Sequence, residues 1–312
     1  MTIETVRTKD GIGLKGLFLE ANNSEKVCLF IPGCCGNFVD NDFIRVIGEE
    51  LVKSCYNVLC ANTRGSFMMN SSFHPKNLER PRQIGVAYEY FEECIYDIDA
   101  WLNHLLLKGY TKVDVICHSS GANKLIYYMN GEAEGKQIIN NIIFLSPPDF
   151  ANRIRCYSDY HELLEKAREN VKNGQPDELI RVHFFYKTSH SFLSMMNSKN
   201  FDNLPLVNGT EEDFSQYTNI SKPITIIYGS RENYIKNYIN KLTAYANPNT
   251  TVECHEIIDA DHIYFGKEKE VGKKVAECLN EKYLLGLANC HILKKWKQNN
   301  YLWYNVKNDE KR

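Results

Sequence analysis

No apolar run in this chain reaches the ~18 residues that a membrane-spanning helix requires. An excess of positive charge is missing as well. The chain carries 37 Lys and Arg against 39 Asp and Glu, a net charge of -2, so charge alone draws it neither to nucleic acid nor to a membrane surface. The opening residues, Met-Thr-Ile-Glu-Thr-Val-Arg, lack the apolar stretch of a secretory signal. No Cys-x-x-Cys pair occurs, and His, Cys and carboxylates show no zinc-like spacing, so no metal is expected. The Gly-rich loop after Ile31, Pro32-Gly33-Cys34-Cys35-Gly36, fits neither Gly-x-x-x-x-Gly-Lys-Ser/Thr nor Gly-x-Gly-x-x-Gly, and no cofactor is expected.

What is present is a chain of 312 residues, 43% hydrophobic and 24% charged, the balance of a soluble globular protein. That length suits a large α/β domain with an insertion. Eleven cysteines are many. Their number is odd and no export signal is seen, which favours reduced thiols in a cytoplasm over a disulfide framework. Cys28, Cys55, Cys60, Cys94, Cys254 and Cys278 fall in apolar strand or helix patterns and read as small core residues.

Taken in order, Ile3 to Val6 and Leu14 to Leu19 read as a hairpin turning at Asp10-Gly11. Lys26 to Ile31 is almost continuously apolar, as in a strand buried on both faces. Phe43 to Ser54 has helical spacing, and Tyr56 to Ala61 is another buried strand. Arg64, in the turn that follows, is expected to bond carbonyls. Residues 66–84 read as an irregular loop, and Glu89 to Leu107 as a long helix. Ile138 to Ser146 is a further strand. This alternation predicts an α/β fold, a mostly parallel doubly wound sheet with helices on both faces and an antiparallel hairpin at its N-terminal edge. From about residue 150 to 220 the strand pattern stops. Tyr160 to Asn173, Pro176 to Phe185 and Ser189 to Asn197 look helical. They predict a helical lid over 150–220, beside the crevice where open α/β sheets bind ligands. Lys222 to Tyr228 and Thr251 to Ile258 return to strands, and a helix from Glu268 closes the domain. The core is thus assigned to 1–149 and 221–286. Residues 287–312 form a C-terminal extension. Its Lys294, Lys295 and Lys297 around Trp296 are a weak signal for nucleic acid, and a packed or oligomer-forming tail is the reading kept.

One stretch carries chemistry. Val113 to Ile116 reads as a short strand and Ala122 to Tyr128 as the start of a helix. Between them lies Cys117-His118-Ser119-Ser120-Gly121, a small-x-Ser-x-small sequence at a strand-to-helix junction. A serine on so sharp a turn exposes its hydroxyl, and the residues two before and two after must be small because backbones crowd there. Cys117 replaces the usual glycine. The helix that follows aims its N-terminus at Ser119 and favours negative charge there.

With Pro32-Gly33-Cys34-Cys35-Gly36, Gly229-Ser-Arg-Glu232 and Ala260-Asp261-His262 added, the chain resembles the α/β-hydrolase superfamily over roughly residues 1–286. More loosely, Asn37-Phe38, Asp97-Ile-Asp99-Ala-Trp101 and Ser146-Pro-Pro-Asp149 are similar to bacterial serine hydrolases related to siderophore esterases. The resemblance implies a triad in the order Ser119, Glu232, His262, with Asp149 as the rival acid. It implies an oxyanion hole from the N–H groups of Cys34 and Ser120. Cys35, His118, Phe184, Phe192, Met195 and Met196 are the substrate-binding candidates. The Met and aromatic side chains among them favour an apolar acyl group. The implied activity is hydrolysis of an ester or thioester of a small-molecule acyl substrate. Acyl transfer or cyclisation, amide cleavage, and a non-catalytic ligand-binding homologue stay open at this stage.

Overall fold

The computed structural model describes residues 1–74, 77–197, 204 and 214–281. The extension expected at 287–312 lies outside the described residues. In chain order the elements are β1 (Thr2–Arg7), β2 (Gly13–Leu19), β3 (Val27–Ile31), α1 (Asp42–Lys53), β4 (Asn57–Ala61), β5 (Asn70–His74), β6 (Asn77–Ile84), α2 (Cys94–Leu107), β7 (Val113–His118), α3 (Ser120–Asn130), β8 (Ile139–Leu145), α4 (Phe150–Arg155), α5 (Tyr160–Lys172), β9 (Leu179–Val182), β10 (Phe185–Thr188), α6 (Ser189–Met196), α7 (Ser215–Thr218), β11 (Ile224–Gly229), α8 (Asn233–Ala244), β12 (Val252–Ile257) and α9 (268–281).

An eight-stranded sheet in the order β1-β2-β4-β3-β7-β8-β11-β12 forms the centre. β1, β2 and β4 pair antiparallel, and β4 through β12 run parallel. The apolar runs follow from burial on both faces. On one face Cys28 and Phe30 pack with Phe43, Ile44 and Leu51 of α1 and Val271 and Val275 of α9. On the other, Leu29 and Ile31 pack with Trp101 and Leu105 of α2 and Leu125 and Ile126 of α3. Trp101 is fully buried and donates its indole N–H to the Asn62 carbonyl at 2.9 Å. A Cβ on Gly16 would lie 2.8 Å from that ring, so a residue without one lets the ring seat.

From β3 the chain crosses to β4 on one side, and from β4 to β7 on the other side of β3. The connections therefore diverge between β3 and β7. The loops leaving the carboxyl ends of these two strands meet at that switch point, where open α/β sheets place their ligands.

Between β8 and β11 lies a separate small core: Ala151, Ile154, Ala167, Ile180, Val182, Phe185, Phe192, Met195 and Met196. It is not wholly helical. The expected helix over 176–185 is instead the hairpin β9–β10, with Val182 opposite Phe185 and Leu179 opposite Thr188. Leu179-Ile-Arg-Val182 buries every second residue, a period of two that sets a strand. The insert is fastened to the segment before α2. The Thr188 N–H donates to Ala87 O at 2.7 Å, Lys187 Nζ to Val86 O at 3.0 Å, and the Phe91 N–H to Ser194 Oγ at 3.1 Å.

Three further expectations are corrected. Residues 70–84 form the antiparallel pair β5–β6, and the Gly13 N–H donates to Ser72 Oγ at 2.8 Å, which ties that pair to the sheet edge. Arg64 bonds carboxylates rather than carbonyls: Asp10 at 2.9 Å, Glu93 at 2.6 Å and Asp97 at 2.9 Å. A buried guanidinium needs anionic partners, and three elements supply them. Cys55 is exposed, in the turn after α1. No helix of the described residues is long and apolar enough to cross a membrane.

Candidate active site

β7 ends at His118, and the next residue turns sharply. Ser119 has φ 52 and ψ -132, a region that costs an L-residue strain. The Ser119 N–H donates to Leu145 O at 2.9 Å, and α3 begins at Ser120. The predicted crowding is present. A Cβ on Gly121 would lie 2.7 Å from Ile31 O, and one on Gly33 would lie 2.7 Å from Ser119 Cβ. Cys117 fits the remaining tight position. It is fully buried, and burial pushes its thiol well above the ordinary range, which makes it inert.

Two other loops converge on Ser119. Glu232 follows β11, and its N–H donates to Gly229 O at 3.0 Å. His262 follows β12, where Asp261 Oδ1 accepts from the N–H groups of Ile263 at 3.1 Å and Phe265 at 3.0 Å and bends the chain. The loops press together, because a Cβ on Gly229 would lie 2.4 Å from Ala260 O. The Arg231 N–H also donates to that carbonyl at 3.0 Å.

The result is a hydrogen-bonded chain. His262 Nδ1 lies 2.7 Å from Glu232 Oε2, and His262 Nε2 lies 2.9 Å from Ser119 Oγ. A carboxylate only accepts, so Nδ1 carries the proton and Nε2 is left to accept from the serine hydroxyl. Glu232 is almost fully buried, whereas the His262 side chain is 35% exposed and open to the crevice.

Sequence reasoning missed the second tier. Ser146 Oγ donates to Glu232 Oε1, which also accepts the Gly229 N–H at 3.1 Å. Tyr264 OH stands 2.7 Å from Ser146 Oγ and 3.0 Å from Ile227 O. Ser146 sits just past β8 at φ 48, a strained turn at a strand's carboxyl end, and that was the available signal. His118 was expected at the substrate. It is instead buried beside His262, edge-on to Phe43 at 4.8 Å between ring centroids. Its Nε2–H donates to the His262 carbonyl at 2.8 Å. Burial drives its pKa down from 6.5 to about 3, with the His262 charge adding to the effect, so it stays neutral and keeps that donor.

Among the described residues no other group accepts from the N–H of Cys34 or of Ser120. The Cys34 loop is braced by Asn37, whose Oδ1 accepts from the Val39 and Asp40 N–H groups at 2.9 and 2.7 Å. Cys35 is half-buried in the same loop. Phe192, Met195 and Met196 lie in the insert's own core, against which Cys34 packs, and Phe184 is 67% exposed on the β9–β10 turn. Asp149 caps α4 by accepting the Asn152 N–H at 3.2 Å. No cluster of three or more His, Cys, Asp or Glu side chains arranged for a metal occurs among the described residues.

The sequence matches no family model and no curated protein. Solved structures do match. Est1E from Butyrivibrio proteoclasticus, with ferulic acid bound, superposes at a TM-score of 0.60 with 17% identity, covering 90% of this chain and 100% of its own. A soluble variant of monoglyceride lipase from Saccharomyces cerevisiae gives 0.58 with 13% identity over 88% and 94%. Esterase Pf2001 from Pyrococcus furiosus gives 0.55 with 18% identity over 90% of both chains. With its mostly parallel sheet, N-terminal antiparallel hairpin and strand-to-helix serine turn, the chain has the α/β-hydrolase fold.

Proposed function

We propose that this protein is a serine hydrolase that cleaves a carboxylic ester, or the related thioester, through an acyl-enzyme. The observation that carries the reading is the chain Glu232–His262–Ser119 at 2.7 and 2.9 Å, with the serine on a strained turn at the switch point. Ser119 Oγ attacks the acyl carbon while His262 Nε2 takes its proton. Glu232 holds the imidazole tautomer and stabilises its positive form. The N–H groups of Cys34 and Ser120 receive the oxyanion, aided by the N-terminus of α3. His262 then protonates the leaving group and activates water to release the acid. The insert between β8 and β11 acts as the lid. The names of two of the structural neighbours, an esterase and a lipase, support the same class of substrate.

The test is labelling with a fluorophosphonate, read by intact mass, together with hydrolysis of p-nitrophenyl esters of increasing chain length. A single adduct at Ser119, lost in Ser119→Ala with an ester-hydrolysis drop of at least about 10³-fold, is the expected result. Labelling that persists in Ser119→Ala would overturn the assignment.

A further inference from the structure

A ladder of hydrogen bonds joins the insert to the loop after β3, and the hydrolytic steps above do not use it. Cys34 lies in a turn closed by the Gly36 N–H, which donates to Gly33 O at 3.0 Å. The carbonyl that follows, Cys35 O, accepts from the Phe67 N–H at 3.1 Å and from Asn37 Nδ2 at 3.2 Å. Phe67 O accepts from the Val86 N–H at 2.9 Å, and Val86 O accepts from Lys187 Nζ of β10 at 3.0 Å. A second branch leaves the same lysine. Lys187 Nζ donates to Ser191 Oγ at 2.9 Å, and that hydroxyl donates to Glu89 O at 2.5 Å. The Glu89 carboxylate pairs with Lys124, one turn along α3 from Ser120. Residues 86–89 thus stand between Lys187 and both proposed oxyanion donors. Lys187 is only 2% exposed, and among the described residues no carboxylate pairs with it. An apolar side chain would cost less in that place, so stability alone does not account for a lysine there.

We propose that Lys187 is a positioning residue, which sets the Cys34 and Ser120 amides by holding Val86 and Ser191 and so makes a seated insert a condition of fast acyl transfer. The proposal rests on the hydrolase reading. Lys187 acts through its two acceptors and not on substrate. One branch fixes the Cys35 carbonyl, and with it the turn that presents the Cys34 N–H. The other fixes Glu89, and through Lys124 the first turns of α3. Removing the lysine does not release the insert, because the Thr188 N–H still donates to Ala87 O at 2.7 Å and the Phe91 N–H to Ser194 Oγ at 3.1 Å. What is lost is the fixed aim of two donors. That loss falls on the transition state, where the oxyanion forms, and leaves ground-state binding almost unchanged.

The test compares full-length wild type, Lys187→Met, Lys187→Arg and Ser191→Ala on p-nitrophenyl acetate and on the matching thionoacetate, in which sulfur replaces the carbonyl oxygen. Sulfur accepts N–H bonds weakly. The thionoester therefore gains little from the oxyanion donors and reports the rest of the machinery. Wild type is first labelled with a fluorophosphonate, and no adduct at Ser119 would sink the hydrolase reading and this proposal together. With the adduct present, Lys187→Met should lose about 10- to 100-fold in kcat on the ester, with KM within about 2-fold of wild type. The thionoester rate should fall less than about 3-fold, so the ester-to-thionoester ratio collapses. Lys187→Arg, which keeps a donor, should recover part of that ratio. Ser191→Ala, which cuts one branch, should lower it by a smaller factor than Lys187→Met. An unchanged ester rate in Lys187→Met overturns the proposal. So does a fall of equal size on both substrates, or one confined to KM, because either would mean that the lysine only holds the insert together. If circular dichroism shows Lys187→Met unfolded, Ser191→Ala decides, and a wild-type ratio there overturns the proposal as well.

Discussion

At the scale of single residues, the proposed triad depends on Glu232 being an anion held in one place. Gly229 N–H and Ser146 Oγ secure Oε1, leaving Oε2 for His262. Glu232→Gln keeps the shape but brings an amide that can donate where the imidazole needs an acceptor. We expect kcat to fall about 10³- to 10⁴-fold with little change in KM, measured on a p-nitrophenyl ester. Ser146→Ala acts one step further out. It removes a donor to the carboxylate and a partner of Tyr264, so kcat should drop about 10-fold and stability by about 1–3 kcal/mol. Urea unfolding beside the kinetics separates the two effects, and Ser146→Thr, which restores the hydroxyl, should recover part of the rate.

At the scale of elements, the site exists because three loops are packed without slack. Gly33 is a tight point in the loop after β3. Gly33→Ala would place a methyl 2.7 Å from Ser119 Cβ. We expect fluorophosphonate labelling to fall sharply while far-ultraviolet circular dichroism stays that of wild type. A second joint ties the N-terminal hairpin to α2. There Arg64, 2% exposed, bridges Asp10, Glu93 and fully buried Asp97. Arg64→Ala leaves the Asp97 carboxylate without its cation. The expected cost is about 3–5 kcal/mol, read from the urea midpoint. A protein that loses less than about 1 kcal/mol would show that this network contributes geometry rather than stability.

At the scale of the whole molecule, acid stability follows from His118. The folded form holds it neutral down to about pH 3, whereas an unfolded histidine protonates near 6.5. Between those values the unfolded chain binds the extra proton, so stability falls as pH falls through that window. Asp10 adds in the same direction: its folded pKa is lowered, on balance by Arg64, Thr8 and Arg82 acting against burial, so its contribution is lost at low pH. Thermal unfolding should therefore occur at lower temperature near about pH 4.5 than near about pH 7.5, and the gap should narrow in His118→Phe. An unchanged gap in that variant would place the acid sensitivity elsewhere.

The sequence by itself determined the doubly wound sheet, because strands buried on both faces must read as nearly unbroken apolar runs such as Val27–Ile31, and helices must carry a 3.6-residue stripe. It also pointed to Ser119, since a strand-to-helix turn bounded by small residues is a local pattern. The β9–β10 hairpin and the β5–β6 pair were hidden. Their strands are four to eight residues long and sit in polar surroundings, where period two is easily taken for loop or helix. Only the tertiary structure decided that Glu232 lies at hydrogen-bond distance from His262, that Asp149 caps α4, and that Phe192, Met195 and Met196 lie in the insert's core. It alone placed His118 against the His262 carbonyl and Ser146 against Glu232. Those facts rest on which loops meet across the carboxyl ends of β3, β7, β8, β11 and β12. Contacts between residues more than a hundred positions apart are set by sheet order, and no local pattern records them.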